Sequence, residues 1–311
     1  MNKLPLITIV GPTASGKTEL SLFLAHRLHA VILSGDAYQV YRGMDIGTAK
    51  APQQERRGIP HYLVDCIDPG EAYSAGIFQK QADALIHRAY AEGVLPILVG
   101  GTGLYVQGLL EGYSFRPPGG RRSYYRELYQ KQGIEGLQKE LIQRRGYSLT
   151  ALPRDPQRLI RELELCDAGA DPHKESKSAE RVYAGPVIGL SMDREKLYER
   201  INMRAKHMMR SGLRREVEGL LAQGVPPDAQ CMSGIGYKEM VSVIKGEISE
   251  EEGLRLMQRN TRRFAKRQMT WFRRMPYIQW FERTEGSQDV LQEEILQYVQ
   301  HCLCRIGQEK E

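Results

Sequence analysis

Short apolar runs recur along the first hundred residues, and they predict the strands of a parallel sheet. The runs cover residues 6–10 (LITIV), 30–34 (AVILS), 62–68 (YLVDCID) and 94–101 (VLPILVGG). Strands that are buried on both faces read as continuous apolar segments of this kind. Between them the pattern changes to helical spacing, as in residues 19–29. The alternation predicts an α/β fold, a parallel sheet with helices on both faces.

The rest of the chain is predicted to be mostly helical. A further strand is expected at residues 185–191 (GPVIGLS), with helices from there to the end. After a Pro/Gly segment at 115–120 the sequence becomes charged and helical in spacing, without a strand pattern, which predicts an all-helical insertion domain. Residues 167–180 are the segment most expected to form a mobile loop. The predicted division is 1–115 for the first part of the core, 116–184 for the insertion, and 185–311 for the rest of the core with C-terminal basic helices.

Composition narrows the class of protein. The chain has 41% apolar and 26% charged residues, as soluble globular proteins do. No apolar run approaches the roughly 20 residues of a membrane helix, and the first one is too short for a signal peptide, so we expect a cytoplasmic protein without membrane spans. The five cysteines include no C-x-x-C pair, which argues against a disulfide framework or a zinc site. A monomer is the simplest expectation.

The segment GPTASGKT (11–18) fits the phosphate-binding loop pattern G-x-x-x-x-G-K-[ST]. Gly11, Gly16, Lys17 and Thr18 occupy the four defining positions, and the segment lies between a predicted strand and a predicted helix. Backbone N–H groups and Lys17 can bind phosphate oxygens there, and Thr18 can hold Mg²⁺. The sequence therefore predicts a P-loop, but the pattern leaves open whether the phosphate is transferred, hydrolysed or released.

Candidate catalytic residues follow two other predicted strands. Asp36 follows the second strand, where it could coordinate Mg²⁺, act as a general base, or only cap a turn. Thr102 supplies the hydroxyl of a second glycine-rich turn, VGGTGLY, after the fourth strand. Because ligands of such sheets bind at the carboxyl ends of the strands, we expect Asp36, Thr102 and the P-loop to lie together.

Positive charge is concentrated near the C-terminus. Residues 255–274 carry eight basic and no acidic side chains, within a net charge of +6. On a helix the basic side chains fall within an arc of about 140°, with apolar residues opposite. This pattern favours a nucleic-acid partner over a solvated helix surface. Residues 116–145 hold eight basic residues against three glutamates, a run that a solvated helix surface would explain equally well.

Six segments, in order along essentially the whole chain, resemble the tRNA isopentenyltransferase family, the tRNA dimethylallyltransferases. They are GPTASGKT, QVYRGMDIGTAK, GGTGLY, DPQRLIRELE, GIGYKE and TRRFAKRQMTWFR. Members of that family transfer the dimethylallyl group of dimethylallyl diphosphate to the exocyclic amine of the adenosine just 3′ of the anticodon. The resemblance implies that the P-loop holds the diphosphate of a prenyl donor, which leaves during the reaction.

The resemblance also implies roles for individual residues. Asp36 would be the general base, and Thr102 would bind near the bridging oxygen of the donor. The residue chemistry given above makes Thr18 and Asp36 the candidate Mg²⁺ ligands. The diphosphate would contact Gly11, Pro12, Thr13, Ala14, Ser15, Gly16, Lys17, Thr18 and Arg204. The zinc finger of eukaryotic members is absent, because the C-terminal His and Cys residues lack the required spacing, so the bacterial form is the closer match.

For the tRNA, the resemblance implies three groups of contacts. Those around the flipped target base are Asp36, Ala37, Tyr38, Gln39 and Thr102. Those of the insertion with the anticodon stem-loop are Arg122, Gln157, Arg158, Leu159, Ile160 and Arg161. The group expected to bind phosphates, called the basic face below, comprises Arg259, Arg262, Arg263, Lys266 and Arg267. Ala37 stands where the family usually has Ser, which removes a hydroxyl and leaves the proposed base intact.

The residue patterns are also compatible with other activities. A P-loop kinase acting on a nucleotide or small metabolite would use an acid such as Asp65 or Asp68 for Mg²⁺ and the insertion as a lid. An RNA-binding P-loop ATPase would hydrolyse ATP when RNA binds. Prenyl transfer to a free adenine nucleotide is a further variant, although it gives the insertion and the basic face no role.

Overall fold

The computed structural model describes residues 3–115, 120–145, 152–169, 178, 180–284, 286 and 288–308. In this part of the chain six strands form one parallel sheet in the order β3-β2-β4-β1-β5-β6. The strands are β1 (Ile7–Val10), β2 (Ala30–Ser34), β3 (His61–Tyr62), β4 (Leu95–Gly100), β5 (Val187–Met192) and β6 (Ile278–Arg283). The helices are α1 (Lys17–Leu28), α2 (Ala75–Ala91), α3 (Gly103–Leu110), α4 (Arg122–Arg145), α5 (Pro156–Asp167), α6 (Arg194–Arg210), α7 (Leu213–Ala222), α8 (Tyr237–Ile244), α9 (Glu250–Phe272) and α10 (Gln288–Gln308).

Helices cover both faces of the sheet, which confirms the predicted α/β architecture. On one face Ile9 of β1 packs in a cluster with Leu24 of α1 and Ile295 of α10. On the other face Leu98 of β4 lies in a larger cluster with Phe78 of α2 and residues of α7, α8 and α9. The central strands are apolar throughout because both of their faces are buried. No described helix has a stretch that is both long enough and apolar enough to cross a membrane.

Two strand predictions are wrong in extent or place. Of residues 62–68, only Tyr62 pairs in the sheet, together with His61, because Leu63 and Asp65 have φ of 60° and 54° and leave the extended conformation. The last strand, β6, was predicted as helix. It buries mainly Ile278 and Phe281, so it lacks the continuous apolar pattern of a central strand.

The chain divides into two compact units, Met1–Gly112 with Glu180–Glu311, and Tyr113–Ala179. The structure places residues 180–184, predicted as part of the insertion, in the larger unit. There the N–H of Val182 donates to the carbonyl of Leu110 at 2.8 Å, and that of Ala184 donates to Leu4 at 2.9 Å. Most of the segment expected to be mobile, 167–180, lies outside the described residues.

The smaller unit contains α4 and α5. Its α4 is interrupted at Gly133, whose φ of 64° is left-handed. The start of α5 is capped by Asp155, whose carboxylate accepts the N–H of Arg158 at 2.9 Å. Tyr125 of α4 and Leu163 of α5 are both fully buried in the core of this unit.

Candidate active site

The loop 11–18 joins β1 to α1 and depends on its glycines. Gly11 has φ of 148° and Gly16 has φ of 98°, and a Cβ on Gly11 would lie 2.6 Å from the carbonyl oxygen of Leu190. Within the loop Lys17 Nζ donates to the carbonyl of Pro12 at 2.7 Å. The loop therefore opens directly onto the N-terminus of α1, where unpaired N–H groups and the helix dipole favour an anion.

Cations surround this loop. Burial and the charge of Arg204 together lower the pKa of Lys17 to about 7, and Asp36 opposes the shift. Burial and the charge of Arg200 lower the pKa of Arg204 in turn. Arg200 donates from Nε to the carbonyl of Ala14 at 3.0 Å. Positive charges that lower one another's pKa repel each other, and a bound multivalent anion would reduce this repulsion. The loop therefore has the charge pattern of an anion site.

Arg200 and Arg283 were missed by the sequence analysis. Arg200 lies one helical turn before Arg204 on α6, a spacing that could have identified it. Arg283 ends β6, the strand that was predicted as helix, and its Nη1 is 3.0 Å from the carboxylate of Glu19. A Cβ on Gly16 would lie 2.0 Å from the same Nη1, so Arg283 packs directly against the loop.

Asp36 follows β2 at the carboxyl edge of the sheet, as expected. Its Oδ1 accepts the N–H groups of Tyr38 at 2.8 Å and Gln39 at 3.3 Å. Burial raises the pKa of this carboxyl, while the two N–H groups and then Lys17 act against the rise. The arrangement commits Oδ1 to the backbone and leaves Oδ2 for a ligand.

Thr102 is held next to the Asp36 segment. Its Oγ1 accepts the N–H of Ala37 at 3.1 Å, and its own N–H donates to the carbonyl of Gly35 at 3.4 Å. A Cβ on Gly100 would lie 2.4 Å from the Gly35 oxygen, which is why the two strand ends can approach so closely. Because the N–H of Ala37 takes an acceptor position of the hydroxyl, the Thr102 proton can point to a ligand.

A cavity of about 790 Å³ lies along these elements. The predicted residues that line it are Thr13, Ala14, Gly16, Lys17, Thr18, Asp36, Gln39 and Arg204. Predicted residues that do not line it are Gly11, Pro12, Ser15, Ala37, Tyr38 and Thr102. Lining residues that were not predicted include Lys50, Arg56, Arg200, Phe264 and Gln268. The structure thus brings residues of the loop 11–18, Asp36 and Arg204 to one cavity, and it places Thr102 beside Gly101 in the wall.

A hydrogen-bond network around the half-buried Glu216 holds the loop at 45–47, directly before the cavity-lining residues Thr48, Ala49 and Lys50. The carboxylate of Glu216 accepts the N–H groups of Asp45, Ile46 and Gly47 at 2.9, 2.7 and 3.1 Å. The hydroxyl of Tyr237 donates to the same carboxylate at 2.6 Å. A Cβ on Gly47 would lie 2.4 Å from the Tyr237 ring, so the loop and the ring are in close contact. Glu216 was not identified from the sequence, because nothing nearby in the chain indicates its partners.

The basic face of α9 is only partly exposed. Arg263, Lys266 and Arg267 are exposed, whereas Arg259 is half-buried. Arg262 donates to the side-chain oxygen of Asn202 at 2.6 Å. Three of the five predicted side chains are therefore directly available to a polyanion.

In the smaller unit the predicted tRNA contacts differ in exposure. Arg122 donates to Glu164 at 2.9 Å and to Gln157 at 3.2 Å. Gln157 and Arg158 are exposed. Arg161 is half-buried, with its guanidinium 3.9 Å from the carboxylate of Glu164. Leu159 and Ile160 belong to the core of the unit, with 0% and 1% of their surface exposed, so their side chains do not reach a ligand.

The donor set at the loop fits Mg²⁺ bound through a substrate. Among the described residues no three His, Cys, Asp or Glu side chains form a group that could hold a metal ion by themselves. Mg²⁺ needs few protein ligands, since it keeps water and binds substrate phosphates. The exposed Thr18 and the Asp36 carboxylate both line the cavity and match that requirement.

The comparisons with known proteins agree on one family. The model of the IPP transferase family matches residues 39–275. The tRNA dimethylallyltransferase of Macrococcus caseolyticus is 42% identical over 300 residues, covering 95% of this chain and 96% of that protein. That of Bacillus anthracis is 41% identical over 308 residues, covering 96% of each. The chain belongs to the IPP transferase family.

Solved structures give the same result. The tRNA isopentenylpyrophosphate transferase of Bacillus halodurans superposes with a TM-score of 0.77 at 38% identity, over 99% of both chains. A eukaryotic dimethylallyltransferase acting on tRNA matches with a TM-score of 0.70 at 25% identity, over 92% of this chain and 75% of that one. Relatives of both kinds are transferases, which favours prenyl transfer over the kinase and ATPase alternatives.

Proposed function

We propose that this protein transfers the dimethylallyl group of dimethylallyl diphosphate to the exocyclic amine of the adenosine 3′ of the anticodon in tRNA, releasing diphosphate. The observation that carries the proposal is the cavity in which the carboxylate of Asp36 faces the cationic P-loop. A base and an anion site side by side are what such a transfer requires. We place the reaction in the cytoplasm, with the enzyme acting as a monomer.

The donor would bind with its diphosphate on the loop. Lys17, Arg200 and Arg204 surround that position, and the N-terminus of α1 adds backbone donors. As the bond between the dimethylallyl carbon and the diphosphate oxygen breaks, negative charge grows on the leaving group. Preorganised cations stabilise this charge without reorganisation of the protein. The hydroxyl of Thr102 would donate to the departing oxygen.

Mg²⁺ would be held by Thr18 and, through water, by Asp36, together with the diphosphate. Bound there, it would neutralise charge on the leaving group. The cluster of Lys17, Arg200 and Arg204 would share that task, which agrees with their mutual repulsion in the absence of an anion.

The acceptor amine needs a base. As the new C–N bond forms, a proton leaves the adenine amine, and Oδ2 of Asp36 is the acceptor available for it. The raised pKa makes this carboxylate a stronger base than an ordinary aspartate. The target adenine must be flipped out of the anticodon loop to reach the cavity, where Tyr38 and Gln39 would lie beside it.

The tRNA backbone would be bound by exposed cationic side chains. Arg263, Lys266 and Arg267 of the basic face would contact phosphates, which gives affinity and salt dependence with little sequence discrimination. In the smaller unit Gln157 and Arg158 would contact the anticodon stem-loop. This division assigns a role to the insertion that a small-metabolite kinase would not need.

The acids that the kinase alternative requires are engaged elsewhere. Asp65 accepts Lys50 at 2.5 Å, and Asp68 accepts Arg42 at 2.7 Å. Neither of the two aspartates lines the cavity.

The test is incubation of the protein with unmodified tRNA, Mg²⁺ and labelled dimethylallyl diphosphate, beside a second tube that contains labelled ATP. We expect label on the tRNA and no consumption of ATP. ATP consumption without transfer to tRNA would refute the proposal and assign the loop to a nucleotide.

A further inference from the structure

One buried amide bridges the two glycine-rich loops of the site. Gln268 of α9 has 5% of its surface exposed. Its Oε1 accepts the N–H of Thr13 in the P-loop at 2.8 Å, and its Nε2 donates to the carbonyl of Gly101 at 2.8 Å. Both functional ends of the side chain are therefore used, each on the backbone of a different loop.

Side chains of α9 contact the glycines on both sides of Thr102. A Cβ on Gly101 would lie 2.2 Å from Nε2 of Gln268, and a Cβ on Gly103 would lie 2.5 Å from the ring of Trp271. At position 101 the obstacle is the Gln268 side chain, since the next atom beyond it, the carbonyl oxygen of Gly11, is at 3.7 Å. The turn that carries Thr102 is thus fitted against α9.

We propose that Gln268 is a positioning residue that holds the P-loop and the Thr102 turn at a fixed separation. The inference rests on the proposed function. The donor diphosphate would lie on one loop, and Thr102, on the other, would donate to its departing oxygen, so the distance between the loops sets the geometry of bond breaking. A misplacement of about 1 Å can lower a rate by about 100-fold. Gln268 follows Arg267 of the basic face directly, so one helix serves both the tRNA and the chemistry.

The first test is the single-turnover rate constant of Gln268→Ala, with enzyme in excess over tRNA and with saturating donor. We expect it to fall by about 10- to 100-fold, while tRNA affinity in the absence of donor changes by less than about twofold. With active enzyme in excess over tRNA, this rate constant does not depend on the fraction of folded enzyme, so partial unfolding alone would leave it unchanged. Gln79→Ala is the matched control, because Gln79 donates to the carbonyl of Gly108 at 3.0 Å outside the cavity.

The outcomes separate this inference from the function on which it rests. A wild-type protein without transferase activity would refute the proposed function. An active wild-type protein and a Gln268→Ala variant with the same rate constant would refute the positioning role alone.

A double-mutant cycle provides the second test. Gly101→Ala should slow transfer because its methyl group displaces the Gln268 amide. In the Gln268→Ala background that obstacle is gone, so the further loss should be at least threefold smaller, since residues in contact couple. Losses that multiply independently would contradict the bridge between the two loops.

Discussion

Replacement of Asp36 by asparagine, assayed at saturating Mg²⁺, tests the proposed base. The asparagine Oδ1 can accept the N–H groups of Tyr38 and Gln39 as the aspartate does at 2.8 and 3.3 Å, so the local turn is kept. The change is confined to Oδ2, which becomes an amide nitrogen that cannot take a proton. General-base catalysis contributes about 100- to 10,000-fold, so we expect transfer to slow by that factor. This corresponds to about 3 to 5 kcal/mol of activation free energy.

The stability of the variant should not fall. The raised pKa of Asp36 means that the folded state disfavours the carboxylate, and above that pKa the charged form costs stability. A neutral amide removes the cost, so the variant should be at least as stable at neutral pH. For the wild type, transfer should decline as the pH falls through the raised pKa, and the asparagine variant should lack this decline.

The assay is single-turnover transfer with saturating donor, so that any change in donor affinity does not contribute. Asp68→Asn is the control, since Asp68 is an exposed acid outside the cavity and should keep the wild-type rate. An Asp36→Asn variant within threefold of the wild type would rule out Asp36 as the base. Equal losses in both variants would point to a nonspecific effect of charge.

Three further predictions concern binding and stability. Replacement of Arg263, Lys266 and Arg267 by alanine should weaken tRNA binding. In filter-binding assays the slope of log affinity against log salt concentration should fall in magnitude by about 2 to 3. An unchanged slope would show that these side chains do not contact tRNA phosphates. Because Lys17 has a pKa of about 7, affinity for inorganic diphosphate, relative to Lys17→Arg, should fall above neutral pH by up to about tenfold per pH unit in calorimetry. A pH-independent ratio would contradict the shifted pKa. Glu216→Ala leaves four donors without their acceptor and should lower the free energy of unfolding in urea by about 2 to 4 kcal/mol, and a change below about 0.5 kcal/mol would show that the loop at 45–47 is held by other contacts.

Much of the sheet was predictable because its central strands are buried on both faces. Residues 6–10, 30–34 and 94–101 are continuous apolar runs, and a run of that kind has few other structures available in a chain of this class. The edge strands did not follow this rule. β3 is cut short by positive φ at Leu63, and β6 is identified only by its pairing with β5, so local pattern misjudged both.

The placement of the candidate site residues was predictable where it depends on local sequence. The pattern G-x-x-x-x-G-K-[ST] predicts the backbone conformation of the loop that contains it. Asp36 and Thr102 follow strands whose carboxyl ends lie at the same edge of a parallel sheet, so their proximity could also be predicted. Arg283, Glu216 and Gln268 were missed for a different reason. Each contacts the site through a partner more than 160 residues away in the chain, and no local spacing encodes such a contact.

By itself the sequence determined the class of fold and the family, and it predicted the phosphate loop, because apolar periodicity and short motifs act over neighbouring residues. Only the tertiary structure decided which charges are available and which are already paired. It places Leu159 and Ile160 in a core, ties Arg262 to Asn202, and turns Gln268, one polar residue of a basic helix, into the link between two loops. Whether a side chain is buried or hydrogen-bonded depends on segments that are distant in the chain and come together only in the folded protein.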